Sequence, residues 1–587
     1  MLKKFFLTGA FDRVFFVLLF FIGICLMMDL KHREPKGRLK IASDKAGYYV
    51  YLPATFIYHW DAKKFPKGID KELLGFGLDT VNHKVFTKYT CGTALLYSPF
   101  WLIIHFIAVQ QNLQPDGFSE FYQWMIFVPG VFYLILGLYF LFRFLQYYFS
   151  KGRSLITILL LFAGTNLYYF GLDEGMMPHS NSFFLFSLFL FLLKKVLSSE
   201  RKSFWLITGI SFVLALAILI RPTGILILSC FFFLDSNSLN QIKERIRLLF
   251  KPVNLIIYLV VFGIVFMPQF LYWKYLTGQF VVYSYGNETF RNLDNPQIIS
   301  AWFAPLNGFF LYTPLALTFI VGIIQMIWKK QPNGIFIGVL FLLCSYIFSS
   351  WQCWYFGGGF GYRSLVEYYA ILAVPFAWFL GSIRELLNRY VRSIMVVFIV
   401  ASVWYNLQLT IVQRWNTSST WAWDDYLQYL DSTGLYHFPN TAYTYNEDFE
   451  NIAFYKPYRE MGCFHSPTQA GMIDKNSEYY PIFQRQLLNI LKNPVKRISA
   501  SIWVKPGKLK KTGLILYFVF DDWRNTIYFY QDLNVDNFIS EPYQWTKVHG
   551  VIEIPEWLDQ AYTCKVGIRN FGKTGTGYFD DLELRFE

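Results

Sequence analysis

Long apolar runs separated by short polar links extend from the N-terminus of this chain to about position 413. Runs of about 18 or more apolar residues are long enough to cross a hydrocarbon core as helices. The pattern therefore predicts a polytopic α-helical membrane domain over residues 1–413. Its candidate spans are 12–30, 93–110, 121–147, 154–170, 180–197, 204–220, 222–235, 254–275, 307–328, 335–351, 365–383 and 393–413.

The pattern changes after position 413, where no further run of spanning length follows. Residues 414–496 are mixed and predict an extracytoplasmic connector, with candidate helices over 424–430 and 480–491. From position 497 apolar and polar residues alternate in short segments between Gly, Lys and Asn turns, as in "RISASIWVKP" and "GLILYFVFDD". This period of two predicts an antiparallel β-sandwich over 497–587.

Basic residues concentrate in four links between apolar runs, 143–153, 194–202, 243–251 and 384–392. Such links stay on the cytoplasmic side of a membrane. The segments expected outside are then 31–92, 171–180, the tip Arg221-Pro222, 276–306, 351–364 and the C-terminal region. Twelve full spans cannot join an inside N-terminus to an outside C-terminus, so we expect 11 or 13 crossings. Either 93–110 does not cross, or 121–149 is unusual.

Composition agrees with this picture, since 54% of the 587 residues are hydrophobic and 16% are charged. The net charge of +13 follows from the basic links, so nucleic acid is not an expected partner. The seven cysteines show neither a CxxC pair nor Cys/His metal spacing. Cys463 and Cys564 both fall in the region expected outside, and a disulfide between them stays open.

Ionisable residues near span ends, apart from the basic links, fall almost entirely on the side expected outside. Because such groups are expensive at membrane depth, they usually line a pathway or a site. Their common side predicts a pocket that contains both acids and arginines. They are Asp44, Asp173, Glu174, His179, Arg221, Glu288, Arg291 and Arg363.

A pocket of this kind suits transfer of a sugar from a lipid phosphate. Arg221 and Arg363 are candidates for holding the leaving phosphate, and Asp44 is the candidate base that deprotonates an acceptor hydroxyl. The alternatives are that Asp44 is a solvated loop acid and that Arg221 only ends a helix hairpin. The aromatic residues of this side either stack on sugars or anchor helix ends; they are Tyr48, Tyr49, Trp351, Trp354 and Tyr355.

Five stretches, in this order, resemble the GT-C superfamily of polyprenyl-phosphate-sugar glycosyltransferases, particularly bacterial relatives of protein O-mannosyltransferases and aminoarabinose transferases. They are "SDKAGYYVYLPA" (43–54), "KYTCGTALLYSPFW" (88–101), "GTNLYYFGLDEGMMPHSNSFFLF" (164–186), "LAILIRPTGILIL" (216–228) and "WQCWYFGGGFGYRSLVEYYAIL" (351–372). The resemblance implies a helical bundle in the bacterial inner membrane, with its active site and C-terminal domain in the periplasm.

The resemblance also implies residue roles. Asp44 matches the catalytic first-loop acid, Asp173 and Glu174 match a second acidic cluster, and Arg221 and Arg363 match donor-phosphate contacts. The residues expected to bind substrate are Tyr48, Tyr49, His179, Trp354 and Tyr355. A single acid stands where relatives have an Asp-Glu pair. No cofactor or metal ligand is therefore firmly predicted, although a divalent cation at the active site stays open.

The C-terminal segment resembles carbohydrate-binding jelly rolls through "GTGYFDDLELRF" (575–586). Asp580 and Asp581 could help to bind calcium there, or form a solvated turn pair. Four tryptophans either form a sugar platform or pack in the core: Trp503, Trp523, Trp545 and Trp557.

Together these observations predict an inverting glycosyltransferase that moves a sugar from a polyprenyl phosphate to an envelope glycan, lipid or protein. One alternative is a ligase or polymerase that uses a diphosphate-linked donor. The other is a transporter of lipid-linked sugars, which would place polar groups at the bilayer midplane.

Overall fold

The structure is a computed structural model that forms two compact units, Met1–Ser419 and Thr420–Glu587. In the first unit it describes residues 40–199, 203–286, 288–357, 359–385 and 388–413, and single positions at 16, 20 and 23. In the second unit it describes 443–447, 459–461, 469–473, 479–486, 494–506, 513–521, 527–539, 541, 543–559, 562–571 and 577–587, and single positions at 423, 426, 427 and 430.

The first unit is helical. Its helices are α1 (Asp44–Tyr49), α2 (Tyr51–Phe56), α3 (Ile69–Leu73), α4 (Gly92–Gln110), α5 (Glu120–Met125), α6 (Phe127–Leu145), α7 (Lys151–Gly164), α8 (Leu167–Leu172), α9 (Pro178–Ser198), α10 (Phe204–Ile220), α11 (Ser229–Phe233), α12 (Leu239–Leu249), α13 (Pro252–Thr277), α14 (Ile298–Phe303), α15 (Phe309–Tyr312), α16 (Leu317–Trp328), α17 (Gly334–Ser349), α18 (Tyr369–Glu385) and α19 (Arg389–Gln413). Short 3-10 segments cover Ala62–Lys64, Pro222–Leu228, Pro314–Ala316 and Arg363–Leu365, and a small hairpin pairs β1 (Gly77–Asp79) with β2 (Lys84–Phe86).

Among the described residues, five helical stretches are long and apolar enough to cross a membrane: Gly92–Gln110, Glu120–Leu145, Pro178–Ser198, Pro252–Thr277 and Arg389–Gln413. Shorter apolar helices cover Phe204–Ile220, Pro222–Phe233, Pro314–Trp328, Gly334–Ser349 and Tyr369–Ile383. On α13, Ile256, Leu259 and Ile264 are each more than half exposed, as expected of side chains that face lipid. The predicted span 12–30 lies almost entirely outside the described residues.

The ends of several apolar helices meet around Asp235. Its carboxylate accepts hydrogen bonds from Tyr148 Oη (2.7 Å), from Asn333 Nδ2 (2.7 Å) and from Lys194 Nζ. Tyr148 follows α6, Lys194 lies near the end of α9, and Asn333 precedes α17. These helix ends therefore meet at one end of the bundle. We call this the basic end, because three of the four basic links adjoin it.

Helix α4 lies against the first loop. Trp101 Nε1 donates to Tyr49 Oη at 2.7 Å, and the ring of Phe56 stacks on Trp101 at 5.5 Å. After α4 the chain stays beside this loop, since Tyr58 Oη donates to the carbonyl of Asp116 at 2.7 Å. The middle of α4 and the residues that follow it therefore contact the same short helices.

The second unit contains two antiparallel sheets, which confirms a C-terminal β-sheet region. Its strands are β3 (Tyr443–Glu447), β4 (Arg459–Met461), β5 (Gln469–Ile473), β6 (Tyr479–Gln486), β7 (Arg497–Pro506), β8 (Leu514–Asp521), β9 (Ile527–Asn534), β10 (Thr546–Glu553), β11 (Thr563–Asn570) and β12 (Gly577–Phe586), with a 3-10 turn at Val535–Asn537. One sheet has the order β10-β7-β12-β5-β4 with β3 also on β12, and the other has the order β6-β11-β8-β9.

The β unit begins earlier than the sequence predicted. Strands β3 to β6 come from 414–496. Of these, β3 and β5 pair with β12, β6 pairs with β11, and β4 extends the first sheet beside β5, so this region is not a separate connector. The helix predicted over 480–491 is wrong for 480–486, which form strand β6. Alternating burial along β7 confirms the period of two, because every second side chain enters the core.

Other predicted features of this unit are partly described. Asp580 is fully buried and accepts a hydrogen bond from the Asp581 backbone N–H at 2.9 Å. Trp503 and Trp545 are half-buried and Trp557 is exposed, whereas Trp523 lies outside the described residues. Cys564 is a buried free cysteine, and Cys463 also lies outside the described residues.

Candidate active site

The first loop presents Asp44 at the start of α1. Ser43 precedes it with a φ of 53°, and the Ser43 N–H donates to the carbonyl of Leu73 at 2.7 Å. Gly75, with a φ of 80°, passes so close that a Cβ on it would lie 1.9 Å from the Ser43 carbonyl oxygen. The loop therefore folds back on itself, and this contact fixes where α1 begins.

Both oxygens of the Asp44 carboxylate are engaged. Tyr89 Oη donates to Oδ1 at 2.5 Å, and Arg363 Nη2 donates to Oδ2 at 3.1 Å. Burial acts to raise the pKa of Asp44, but the positive charge of Arg363 and the hydrogen bond from Tyr89 outweigh it and hold this pKa below its ordinary value. The Asp44 side chain is still 31% exposed, so an ionised carboxylate faces an accessible space.

Arg221 lies in a second, more buried group. Its Nη1 donates to Glu367 Oε1 and approaches His179 Nδ1 at 3.1 Å, while His179 Nδ1 lies 3.5 Å from Glu367 Oε2. Arg221 is 14% exposed and Glu367 is 1% exposed. A buried guanidinium paired in this way keeps its charge and a fixed orientation.

The segment 88–92 connects the two groups. Tyr89 reaches Asp44, while Thr90 Oγ1 donates to the carbonyl of Ile220, the residue before Arg221, at 3.2 Å. Gly92 packs so closely on Ile220 that a Cβ would lie 2.7 Å from its backbone nitrogen. One short stretch thus fixes Asp44 and the backbone of Arg221 relative to each other.

The ring of Tyr48 is buried next to the segment 88–92. It packs on Tyr89 at 4.5 Å. Burial raises the pKa of Tyr48, and the positive charges of Arg221 and Arg363 act against that rise. Asp44, Arg221 and Arg363 therefore lie in one neighbourhood. We call this set, with Tyr48, Tyr89 and Glu367, the carboxylate–arginine cluster.

The other residues predicted for the site have different positions. Glu174 forms an ion pair with Lys45 at 2.8 Å, next to Asp44 in sequence, and Asp173 is buried. Tyr49 is 1% exposed, and its hydroxyl contacts Trp101 and the carbonyl of Gly117. Its burial therefore does not support the predicted substrate-binding role.

Trp354 and Tyr355 lie on a half-buried turn that Asn307 holds in place. Asn307 Nδ2 donates to the carbonyls of Tyr355 at 2.9 Å and Gly357 at 2.8 Å, and the rings of Trp354 and Tyr355 meet edge to face. Their expected contact with substrate stays a prediction.

Sequence reasoning missed Tyr89, Glu367 and Lys45 as members of the site. Tyr89 and Glu367 lie within stretches that carried the resemblance, but a tyrosine or a glutamate next to an apolar run gives no local sign of its partner. Among the described residues, no group of three or more His, Cys, Asp or Glu side chains could hold a metal ion. At Asp44, Arg363 already provides the neighbouring positive charge.

No family model and no curated protein matches the sequence. The structure is similar to the single-particle cryo-EM structure of arabinosyltransferase EmbB from Mycobacterium smegmatis, with a TM-score of 0.33 and 9% sequence identity over 99% of this chain. The chain spans 64% of the length of that protein. Because a TM-score this low carries no argument, we base the proposed function on the geometry of the cluster.

Substituting Gly75 should disturb the position of Asp44. In Gly75→Ala the new Cβ would meet the backbone of Ser43, which cannot move without moving α1. Gly68→Ala is a matched control, since Gly68 has a similar φ of 78° but open space around its Cβ position. We expect Gly68→Ala to cost only the strain of a positive φ, about 1–2 kcal/mol. Gly75→Ala should lower the unfolding temperature further, and equal shifts would contradict the close contact.

Removing the Tyr89 hydroxyl should change the pH dependence of any reaction that uses Asp44 as base. The hydrogen bond favours the charged carboxylate, so Tyr89→Phe is expected to raise the pKa of Asp44. Activity should be present above this pKa and lost as the pH falls through it, so the loss should begin at a higher pH in the variant. Tyr275→Phe is the control, because Tyr275 Oη donates to the backbone carbonyl of Trp60, in the same loop as Asp44, at 2.8 Å. A pH profile unchanged by Tyr89→Phe would exclude this coupling.

Proposed function

We propose that this chain is a membrane glycosyltransferase that moves a sugar from a polyprenyl-phosphate donor to a glycan, lipid or protein acceptor, with inversion at the anomeric carbon. The observation that supports it best is an ionised, partly exposed carboxylate held between a tyrosine hydroxyl and a guanidinium, with a second guanidinium nearby. Such a set provides a general base and two guanidinium groups that can donate hydrogen bonds to a phosphate.

The proposed step is a single displacement. The acceptor hydroxyl oxygen forms a bond to the anomeric carbon, and the bond from that carbon to the donor phosphate oxygen breaks. The electron pair of the broken bond goes to the phosphate, and the acceptor proton goes to Asp44. Arg363 and Arg221 stabilise the departing phosphate as it gains charge.

In the proposed step Arg363 stabilises the Asp44 carboxylate first and the leaving phosphate afterwards. Before the reaction it faces the negative Asp44 carboxylate, and Arg221 faces Glu367. As Asp44 accepts the proton it loses its charge, while the phosphate gains charge. Negative charge thus moves from one side of Arg363 to the other, so the guanidinium is compensated throughout. A base elsewhere would leave Arg363 paired with Asp44 at the moment when the phosphate needs it.

We infer that the cluster faces the periplasm of a bacterial inner membrane, as the resemblance implies. Most residues of the cluster come from segments expected outside, and Glu367 lies near the start of the span expected over 365–383. The basic end collects links expected inside. The contacts of α4 with the first loop favour the alternative in which 93–110 does not cross. The proposed number of crossings is therefore 11, which is odd, as an inside N-terminus and an outside C-terminus require. Substrate or calcium binding by the β unit stays a prediction.

Reconstitution distinguishes the candidate functions. Proteoliposomes with a polyprenyl-phosphate sugar and an acceptor should release polyprenyl monophosphate and form a glycoside of inverted configuration. Release of a diphosphate from a diphosphate-linked donor would replace the proposal with the ligase alternative. Movement of the intact donor between leaflets without bond cleavage would identify a transporter. That alternative is less favoured, because the described ion pairs of the cluster lie at helix ends and in loops.

A further inference from the structure

Helix α12 has an exposed apolar side next to exposed basic residues. Leu239 and Ile246 are 75% and 41% exposed, and Phe250, directly after the helix, is 61% exposed. Their spacings of seven and four residues place them on one side of a helix. Lys243 and Arg247 are exposed beside this side. We call these five residues the α12 surface.

The orientation of α12 is fixed from both ends. Arg245, on another side of the helix, is buried, and its Nη1 donates to carbonyls at the end of α11, those of Phe231 (3.2 Å) and Phe232 (3.0 Å), and to that of Leu234 (2.7 Å), the residue after α11. At the other end, Asn254 Nδ2 donates to the carbonyl of Leu248 at 2.7 Å. The helix therefore cannot rotate to bury its apolar side without breaking these bonds.

The position of α12 indicates what covers it. It follows Asp235 by four residues, so it lies at the basic end of the bundle, opposite the carboxylate–arginine cluster along the helices. It leads directly into α13, whose first turns expose Val253 (57%) and Ile256 (62%). An apolar side that continues into a lipid-facing helix is placed at the boundary between headgroups and acyl chains.

We propose that α12 lies flat in this boundary and binds the headgroups of anionic phospholipids. Leu239, Ile246 and Phe250 would enter the acyl region, while Lys243 and Arg247 would stay at headgroup level. The single acid of the helix, Glu244, lies away from the apolar side. Each basic residue near an anionic surface favours it by about fivefold. The surface thus serves as a lipid contact independent of the proposed reaction.

Fluorophores attached to single introduced cysteines test this placement. The full chain carries Leu239→Cys or Ile246→Cys, with Gln241→Cys and Glu244→Cys as controls on the other sides of α12. It is reconstituted in phosphatidylcholine nanodiscs that contain a chain-labelled nitroxide lipid, with and without phosphatidylglycerol. The signal of the parent chain, which keeps its native cysteines, is subtracted. Lipid should quench positions 239 and 246 severalfold more than 241 and 244. Equal quenching at all four positions would overturn the proposal.

Charge reversal tests the headgroup contact. Lys243→Glu with Arg247→Glu should remove the increase in quenching at position 246 that phosphatidylglycerol causes, a loss of about 25-fold in preference if each residue contributes fivefold. Lys63→Glu with Lys64→Glu changes two exposed basic residues of the first loop and should leave it unchanged. Phosphatidylglycerol dependence that survives reversal at 243 and 247 would refute the contact. Protection of position 246 by a co-purified protein instead of lipid would refute it as well.

Discussion

Replacing Asp44 by Asn is expected to lower the rate of sugar transfer by about 10²–10⁴-fold, the usual contribution of a positioned general base. Asn has nearly the same shape, and its carbonyl oxygen can still accept a hydrogen bond from Tyr89 or Arg363. It cannot take up the proton of the acceptor hydroxyl. The expected result is therefore a chain that folds and binds the donor but transfers slowly, as measured by product formation in proteoliposomes.

The matched control is Asp294→Asn, which makes the same chemical change at an exposed position of the loop 276–306. It should keep parental activity and stability. Donor binding and the unfolding temperature of Asp44→Asn separate loss of chemistry from loss of structure. Parental transfer rates in Asp44→Asn would exclude this residue as the base and leave the cluster without an assigned proton acceptor.

Replacing Arg221 by Met should have the largest effect on stability. Met keeps much of the length of the side chain but leaves Glu367, which is 1% exposed, without its charged partner. Removing one member of a buried ion pair costs about 3–5 kcal/mol. We expect a markedly lower unfolding temperature in detergent, together with little or no transfer.

A double variant separates the structural role of Arg221 from its proposed contact with phosphate. In Arg221→Met with Glu367→Leu both charges are removed, and replacing a buried pair by apolar residues is often neutral for stability. The unfolding temperature should therefore recover. Transfer should stay low, because the guanidinium that is proposed to stabilise the leaving phosphate is missing. Recovery of transfer along with stability would show that Arg221 only pairs with Glu367. Lys329→Met with Glu385→Leu, an exposed pair 3.2 Å apart, is the control.

Much of the fold is readable from local patterns. Apolar runs indicated the helices of the first unit, and the period of two indicated strands such as β7, because each pattern records which face of a local element is buried. The distribution of basic links also predicted that Asp44, Arg221 and Arg363 share one side of the membrane; which side they face stays a prediction. The helix predicted over 480–491 was wrong for 480–486. This segment is a strand because it pairs with β11, and its own residues do not specify that pairing.

The sequence by itself predicted a helical membrane protein with a C-terminal β region, and it singled out Asp44, Arg221 and Arg363, which the structure brings into one cluster. Only the tertiary structure decided their partners, namely Tyr89 and Arg363 for Asp44 and Glu367 for Arg221. Asp44 and Arg363 are 319 positions apart, so their contact depends on the way in which the helices between them pack. Periodicity reports the environment of neighbours in the chain, whereas the pairing of charges depends on distances that only the packed bundle sets.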